Sequence, residues 1–274
     1  MKQSGMAFDQ DTILRYSRQI ILDEFGYTGQ EKLLNSKVLV VGTGGLGSPA
    51  LFYLAAAGVG TLGLADFDTV GISNLQRQIL HFTDDLGRKK VDSATEKLKK
   101  LNPDVKLITY PNRLTIDNVE EIISDYDVII DAVDNFQARY LISDCCYFLK
   151  KPLVEGAVLG WEGILMTILP DNQSPCYRCL YPMPPEDGVI PTCSDVGILG
   201  AVAGTIGSLQ ALEAIKLITG IGKTLSGRIL TFDGVNLNFR EIKWSRKSNC
   251  PLCGNNPTIK ELVQYDIKCK LKTF

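Results

Sequence analysis

The segment V-V-G-T-G-G-L-G, with glycines at 42, 44, 45 and 47, limits what this chain can fold into more than any other stretch. It follows the continuously apolar run Lys37 to Val41 (KVLVV) and opens onto Ser48 to Ala57 (SPALFYLAAA), where Pro49 suits the first turn of a helix. A short apolar strand buried on both faces belongs in a parallel sheet. Glycines are required in the turn because a Cβ would block both the turn and the close approach of the backbone to phosphate, while the helix N-terminus offers unpaired N–H groups. Thr61 to Ala65 reads as the next strand, and Asp66 at its end is placed to accept hydrogen bonds from ribose hydroxyls. Gly42, Gly44, Gly45, Gly47 and Asp66 together predict an adenine-nucleotide site. A tight turn with no ligand is the plainer alternative.

The residues that follow weigh NAD against ATP. After Asp66 the chain runs D-F-D-T-V-G-I-S-N-L-Q-R-Q, then G-R-K-K at 87 to 90, which brings Arg77, Gln78, Lys89 and Lys90 toward the carboxyl edge of the sheet. A triphosphate attacked at its α-phosphorus needs positive charge and a metal-binding carboxylate, which Arg77, Lys90 and Asp134 can supply. An NAD-dependent dehydrogenase needs proton-transfer groups, and His81 is the only histidine in the chain. It directly follows the apolar pair Ile79 and Leu80, so a structural or surface role is expected for it.

Further along, residues 11 to 35 read as a helical arm, with Ile13, Leu14, Ile20, Ile21 and Leu22 on one face and Arg15 and Arg18 on the polar side. A strand is expected over Val105 to Tyr110, a short helix over Asn118 to Ser124, and a strand over Val128 to Ile130. That last strand sets Asp131 and Asp134 at the ligand-binding edge of an open sheet. Beyond 152, Ile164 to Leu169, Arg228 to Phe232 and Phe239 to Trp244 read as strands, and Val202 to Thr219 as one long helix. The close spacing of the last two strands predicts antiparallel pairing. The expected fold is α/β: a Rossmann-like nucleotide-binding fold extended by antiparallel strands into a continuous mixed sheet, with a four-cysteine zinc site. The expected organisation is a helical arm at 1–35, a nucleotide-binding half at 36–155 and a C-terminal half at 156–274 with a mobile loop at about 182–197.

Eight cysteines raise the question of a disulfide framework. Four of them fall in two C-x-x-C pairs, Cys176 with Cys179 and Cys250 with Cys253, the two knuckles of a closed tetrahedral zinc site. Iron fits the same geometry less commonly, and two unrelated redox pairs are the plainer reading. Cys193 stands alone in the Pro/Gly-rich P-P-E-D-G-V-I-P-T-C-S-D-V-G. It is a candidate nucleophile if its surroundings favour the thiolate, and an incidental loop thiol otherwise. Cys145 and Cys146 lie in an apolar helical stretch and are expected in the core.

The bulk numbers exclude other classes. At 274 residues, 45% hydrophobic and 22% charged, the chain is neither disordered nor fibrous. With 29 basic and 31 acidic residues it lacks the positive field of a nucleic-acid binder, and no nucleic-acid partner is expected. The N-terminus has no apolar h-region, and the apolar stretches are interrupted before the roughly 20 residues a bilayer demands. A cytoplasmic protein without membrane contact is expected.

Taken in order, R-Y-S-R-Q-I at 15 to 20, G-T-G-G-L-G, D-F-D, S-N-L-Q-R-Q, D-A-V-D-N at 131 to 135, C-Y-R-C, P-T-C, G-S-L-Q-A-L-E-A-I-K at 207 to 216 and C-P-L-C-G-N-N-P-T make the chain resemble the ubiquitin-activating-enzyme-like family, ThiF, MoeB and HesA type. The resemblance implies ATP-dependent adenylylation of the C-terminal glycine of a small ubiquitin-like sulfur-carrier protein ending in Gly-Gly, for thiamine or molybdopterin biosynthesis. It implies ATP contacts from Asp66 at the ribose, with Asp68 and Gln78 in the same binding set. Asn74, Arg77 and Lys90 would meet the phosphates, Asp134 would hold Mg²⁺, and Cys176, Cys179, Cys250 and Cys253 would hold Zn²⁺. Arg18 would complete the partner's site in a homodimer, and Cys193 would bond with the sulfur of the carrier. No rhodanese-like segment follows the N-P-T-I stretch, so a separate sulfur-donor protein is expected. A zinc-stapled carrier-binding scaffold without catalysis is the competing reading.

Overall fold

Strands and helices alternate along the computed structural model, which describes residues 8–185, 196–263 and 265. In α1 (Gln10–Ile20) the Asp9 carboxylate caps the helix by accepting from the Thr12 N–H (2.8 Å). The expected continuous arm breaks there. The N–H groups of Phe25 and Gly26 turn back onto the Leu22 carbonyl, Gly26 takes φ +56°, and α2 (Gly26–Leu34) begins. The apolar face read from the sequence is buried only in part: α1 buries Ile20 together with Tyr16, whereas Leu14, Ile21 and Leu22 are 64%, 68% and 55% exposed.

The chain then runs β1 (Lys37–Val41), α3 (Gly47–Ala57), β2 (Thr61–Ala65), α4 (Lys90–Leu101), β3 (Lys106–Tyr110), α5 (Val119–Ser124), β4 (Val128–Asp131) and α6 (Phe136–Leu149). After it come β5 (Leu153–Leu159), β6 (Glu162–Ile168), the single turn α7 (Tyr177–Leu180), α8 (Gly200–Thr219), β7 (Arg228–Asp233) and β8 (Asn238–Lys243). All eight strands share one sheet in the order β3-β2-β1-β4-β5-β6-β7-β8. The first five are parallel to their neighbours, and β5 to β8 pair antiparallel. The mixed sheet expected from the sequence is therefore continuous.

Two apolar layers cover the sheet. Val38, Val40, Leu62, Leu64 and Ile130 face α3, α4 and α8, while Leu39, Val41, Ile129 and Leu153 face α5 and α6. Full burial of each such Val, Leu or Ile contributes about 1.5–3 kcal/mol. Among the described residues α8 is long and apolar enough to cross a membrane. It instead lies against α3, β4, β5 and β6, burying Val202, Ala203, Ile206, Ala211 and Ala214. The strand order reverses between β1 and β4, so the carboxyl ends of those two strands open a crevice.

Candidate nucleotide site and metal centre

The glycine loop lies in that crevice, between β1 and α3. Gly42 has φ +94°, and a Cβ there would stand 2.6 Å from the Ala132 carbonyl oxygen; at Gly47 it would stand 1.9 Å from the Gly42 carbonyl oxygen. These two glycines are demanded by the loop's own packing, ligand or not. Gly44 and Gly45 face side chains instead: a Cβ at Gly44 would lie 3.3 Å from Gln78 Nε2, and one at Gly45 would lie 3.4 Å from Arg77 Cγ. The loop, Arg77 and Gln78 are thus brought together, and the buried Gln78 Oε1 has no hydrogen-bond donor among the described residues.

Asp66 is partly committed to holding this edge. Its Oδ2 accepts from Thr43 N–H (2.8 Å) and Thr43 Oγ1 (3.0 Å), and its Oδ1 accepts from Asp68 N–H (2.9 Å). With about four lone-pair sites on a carboxylate, one on Oδ1 stays open. The Lys90 ammonium, 7% exposed at the start of α4, lies 3.0 Å from the Asp68 carboxylate. Asn74 Oδ1 accepts from Gly71 N–H (3.0 Å), and Arg77 Nη1 donates to the Ser73 carbonyl (3.0 Å). The exposed Asp134 carboxylate meets no hydrogen bond or ion pair among the described residues. One free carboxylate at the end of β4 is compatible with Mg²⁺, which takes one or two carboxylates and completes its shell with water and phosphate oxygens.

Two predicted residues are not brought here. Arg18 is exposed on α1, which packs on the far end of α3: Gln19 Nε2 donates to the Ala57 carbonyl (2.8 Å), and Tyr16 covers Gly58. An 11-residue helix puts the glycine loop of the same chain about 16 Å away. Cys193 lies outside the described residues. His81 is structural: burial lowers its pKa, and its Nδ1 and Nε2 meet Ser93 Oγ (2.8 Å) and the Thr43 carbonyl (3.1 Å). It braces the glycine loop from beneath.

The sequence reading missed two buried arginines. Arg139 on α6 donates to Glu155 Oε1, to the Val133 carbonyl (2.9 Å) and to the Gly156 carbonyl (3.1 Å). Arg178, fully buried between Cys176 and Cys179, pairs with both oxygens of Asp144 (2.8 and 2.7 Å) and lies over the Tyr140 ring. The available signal was Arg178 itself, a charge inside a C-x-x-C. Glu155, in L-V-E-G-A-V-L, was likewise a carboxylate in an apolar run.

The four cysteines converge as their spacing predicts. All four Sγ atoms lie within 4.8 Å of one another, with pairs at 3.3, 3.5 and 3.9 Å. A tetrahedral Zn–S₄ centre with bonds of about 2.3 Å has S···S edges of about 3.8 Å, so the donor set fits zinc. Lys247 N–H points at Cys179 Sγ (3.4 Å), the kind of outer contact that stabilises a bound thiolate. Among the described residues no other group of three or more His, Cys, Asp or Glu is placed to share an ion.

A glycine loop at the strand-order switch point, on a mixed sheet closed by a four-cysteine centre, defines a class, and the chain belongs to it: the ThiF family, whose model matches residues 16–252. Among individual proteins, it is 44% identical over 271 residues to the "Sulfur carrier protein adenylyltransferase" of Thermus thermophilus, covering 97% of this chain and 100% of that one. It is 48% identical over 265 residues to the "Adenylyltransferase and sulfurtransferase MOCS3" of Culex quinquefasciatus, covering 96% of this chain and 60% of that relative's length. Of solved structures, selenomethionine PaaA aligns with a TM-score of 0.75 at 25% identity, covering 90% of this chain and 79% of its own. Escherichia coli MccB with ATP aligns with a TM-score of 0.77 at 21% identity, covering 88% and 74%, a likeness of fold.

Proposed function

We propose that this chain uses ATP to adenylylate the C-terminal glycine of a ubiquitin-like sulfur-carrier protein ending in Gly-Gly, releasing pyrophosphate. The observation that carries the reading is the gathering of the glycine loop, Asp66, Arg77, Lys90 and an unpartnered Asp134 at one sheet edge whose only histidine is locked into the loop's support. The full-length likeness to the Thermus carrier adenylyltransferase supports it.

The loop N–H groups and the start of α3 take the phosphates, and the open lone pair of Asp66 takes a ribose hydroxyl, with Gln78 beside the loop and Asp68 steadying Lys90. Asn74, Arg77 and Lys90 offset the charge that grows as the carrier carboxylate bonds to α-phosphorus and pyrophosphate leaves. Mg²⁺ held by Asp134 would add charge neutralisation at the phosphates. No base is required, because the attacking carboxylate is already ionised.

In this reading Arg18 serves the site of a second copy in a homodimer, in keeping with its distance from its own loop and with the exposed Leu14, Ile21 and Leu22 around it. Zinc at Cys176, Cys179, Cys250 and Cys253 is structural. Cys193 acts after adenylylation, in the transfer of sulfur from a separate donor protein to the carrier C-terminus. Thiamine and molybdopterin carriers are both candidates. The test is ATP–pyrophosphate exchange with and without a purified carrier: exchange only with an intact Gly-Gly terminus is expected, and binding of the carrier with no exchange would leave the chain a scaffold.

A further inference from the structure

The register of β4 and β5 sets two carboxylates side by side. Asp131 and Glu155 are paired across adjacent parallel strands, 0% and 2% exposed, on the face covered by α6. Like charges in directly opposed positions repel, and one buried cation cannot compensate two buried anions. The cation is Arg139, which donates to Glu155 Oε1 while its Nε stands 3.9 Å from Asp131 Oδ2. Each carboxyl keeps one oxygen with no donor, Asp131 Oδ2 and Glu155 Oε2. One proton on the pair supplies a donor and leaves a single negative charge against a single positive one.

Besides the Arg139 bond to the Gly156 carbonyl (3.1 Å), the remaining bonds of this cluster end on Val133. Asp131 Oδ1 accepts from Val133 N–H (3.0 Å), and Arg139 Nη2 donates to the Val133 carbonyl (2.9 Å). Val133 is gripped on both sides of its Cα, and Asp134 is the next residue. We propose that Asp131, Arg139 and Glu155 form a singly protonated positioning cluster that sets the Asp134 carboxylate through the backbone of Val133. The assignment rests on the reading of Asp134 as part of an adenylylation site.

Burial pushes Glu155 up to about 7 and raises Asp131, with Arg139 opposing the shift in both. The groups facing Glu155 are Asp131 from β4, Arg139 and Tyr140 from α6, Tyr177 from α7 and Tyr181 just past it. Burial raises all three tyrosines, which stay neutral. As pH rises through about 7, Glu155 loses its proton, the cluster becomes net negative, and Arg139 is drawn toward the carboxylates and away from Val133.

Difference infrared spectroscopy on the protein alone, between about pH 6 and about pH 9, reads the proton without any substrate. A carboxylic-acid C=O band that titrates near pH 7 in the wild type and is missing from Glu155→Gln is expected. Absence of the band from the wild type, or its persistence in the variant, overturns the shared proton. Carrier-dependent exchange reads the positioning. Arg139→Lys keeps the charge but cannot hold both carbonyls, and kcat should fall about tenfold or more while the KM for ATP stays within about threefold. Glu155→Gln, permanently uncharged, should exceed the wild type about fivefold at about pH 8.5. An unchanged kcat in folded Arg139→Lys, or a pH profile untouched by Glu155→Gln, overturns the positioning role. If Arg139→Lys does not fold, the Glu155→Gln profile decides alone. A wild type that exchanges with no carrier removes the adenylylation reading, and the infrared band still decides the cluster.

Discussion

Asp134 has neither a hydrogen bond nor an ion pair among the described residues, so replacing it should cost the fold little and the chemistry much. Asp134→Asn is expected to lower ATP–pyrophosphate exchange by about a hundredfold or more, roughly 3 kcal/mol of transition-state stabilisation, with an unchanged circular dichroism melt. Exchange within threefold of wild type would remove it from the site. For Cys193→Ala the expectation is the reverse: exchange survives, because no charge in the nucleotide site depends on that thiol, and thiocarboxylate formation from the natural sulfur donor is mostly lost. Mass spectrometry of the carrier C-terminus gives the answer, a full yield taking Cys193 out of the mechanism. Most of these residues were legible in the sequence because the glycine loop fixes where a strand ends and a helix begins, and Asp66 and Asp134 follow by position. Arg139 and Glu155 were not, since a buried ion cluster looks like surface charge until strand register brings its members together.

At the level of elements, α6 runs from the Asp134 corner of the sheet edge to the four-cysteine cluster. Asn135 caps its start beside Asp134 by accepting from the Ala138 N–H (2.9 Å), and Asp144 two turns further on holds Arg178 inside the first C-x-x-C pair. Cys250→Ser should lower both zinc content and melting temperature, because the ligands join distant segments and metal binding is coupled to folding. Less than half an equivalent of metal in the unaltered protein would refute the zinc centre. Arg178→Met leaves the Asp144 carboxylate buried and unpaired, and should destabilise the protein by about 3–5 kcal/mol in urea or thermal unfolding. β1 was recognisable because K-V-L-V-V is apolar without interruption; β5 was not, because Glu155 and Gly156 break its run at the point where it meets Arg139. α4 also escaped notice, because only Lys90 at its start was singled out and the charges that follow were not read as the exposed side of an amphipathic helix. The break between α1 and α2 was hidden by Ile21 and Leu22, apolar residues that stay exposed.

Across the whole molecule, Arg18 and the glycine loop sit at opposite ends of α3, which makes the proposed homodimer testable by mixing defects. Arg18→Ala and Asp134→Asn should each be nearly inactive alone. Dissociated and reassociated together in equal amounts, they should recover about a quarter of wild-type exchange, since half the dimers are mixed and each mixed dimer has one intact site. No recovery, with mixed dimers demonstrated, would place Arg18 in its own chain's site or in none. A zinc ion held by the four cysteines would also order events during synthesis. Its two knuckles are 74 residues apart, with α8, β7 and β8 between them. At about 5–20 residues per second the first pair of thiols leaves the ribosome roughly 4–15 s before the second. Throughout that interval Cys176 and Cys179 are a bare dithiol on a nascent chain, open to oxidation and to the wrong metal, and a four-cysteine centre can close only after α8, β7 and β8 have been made.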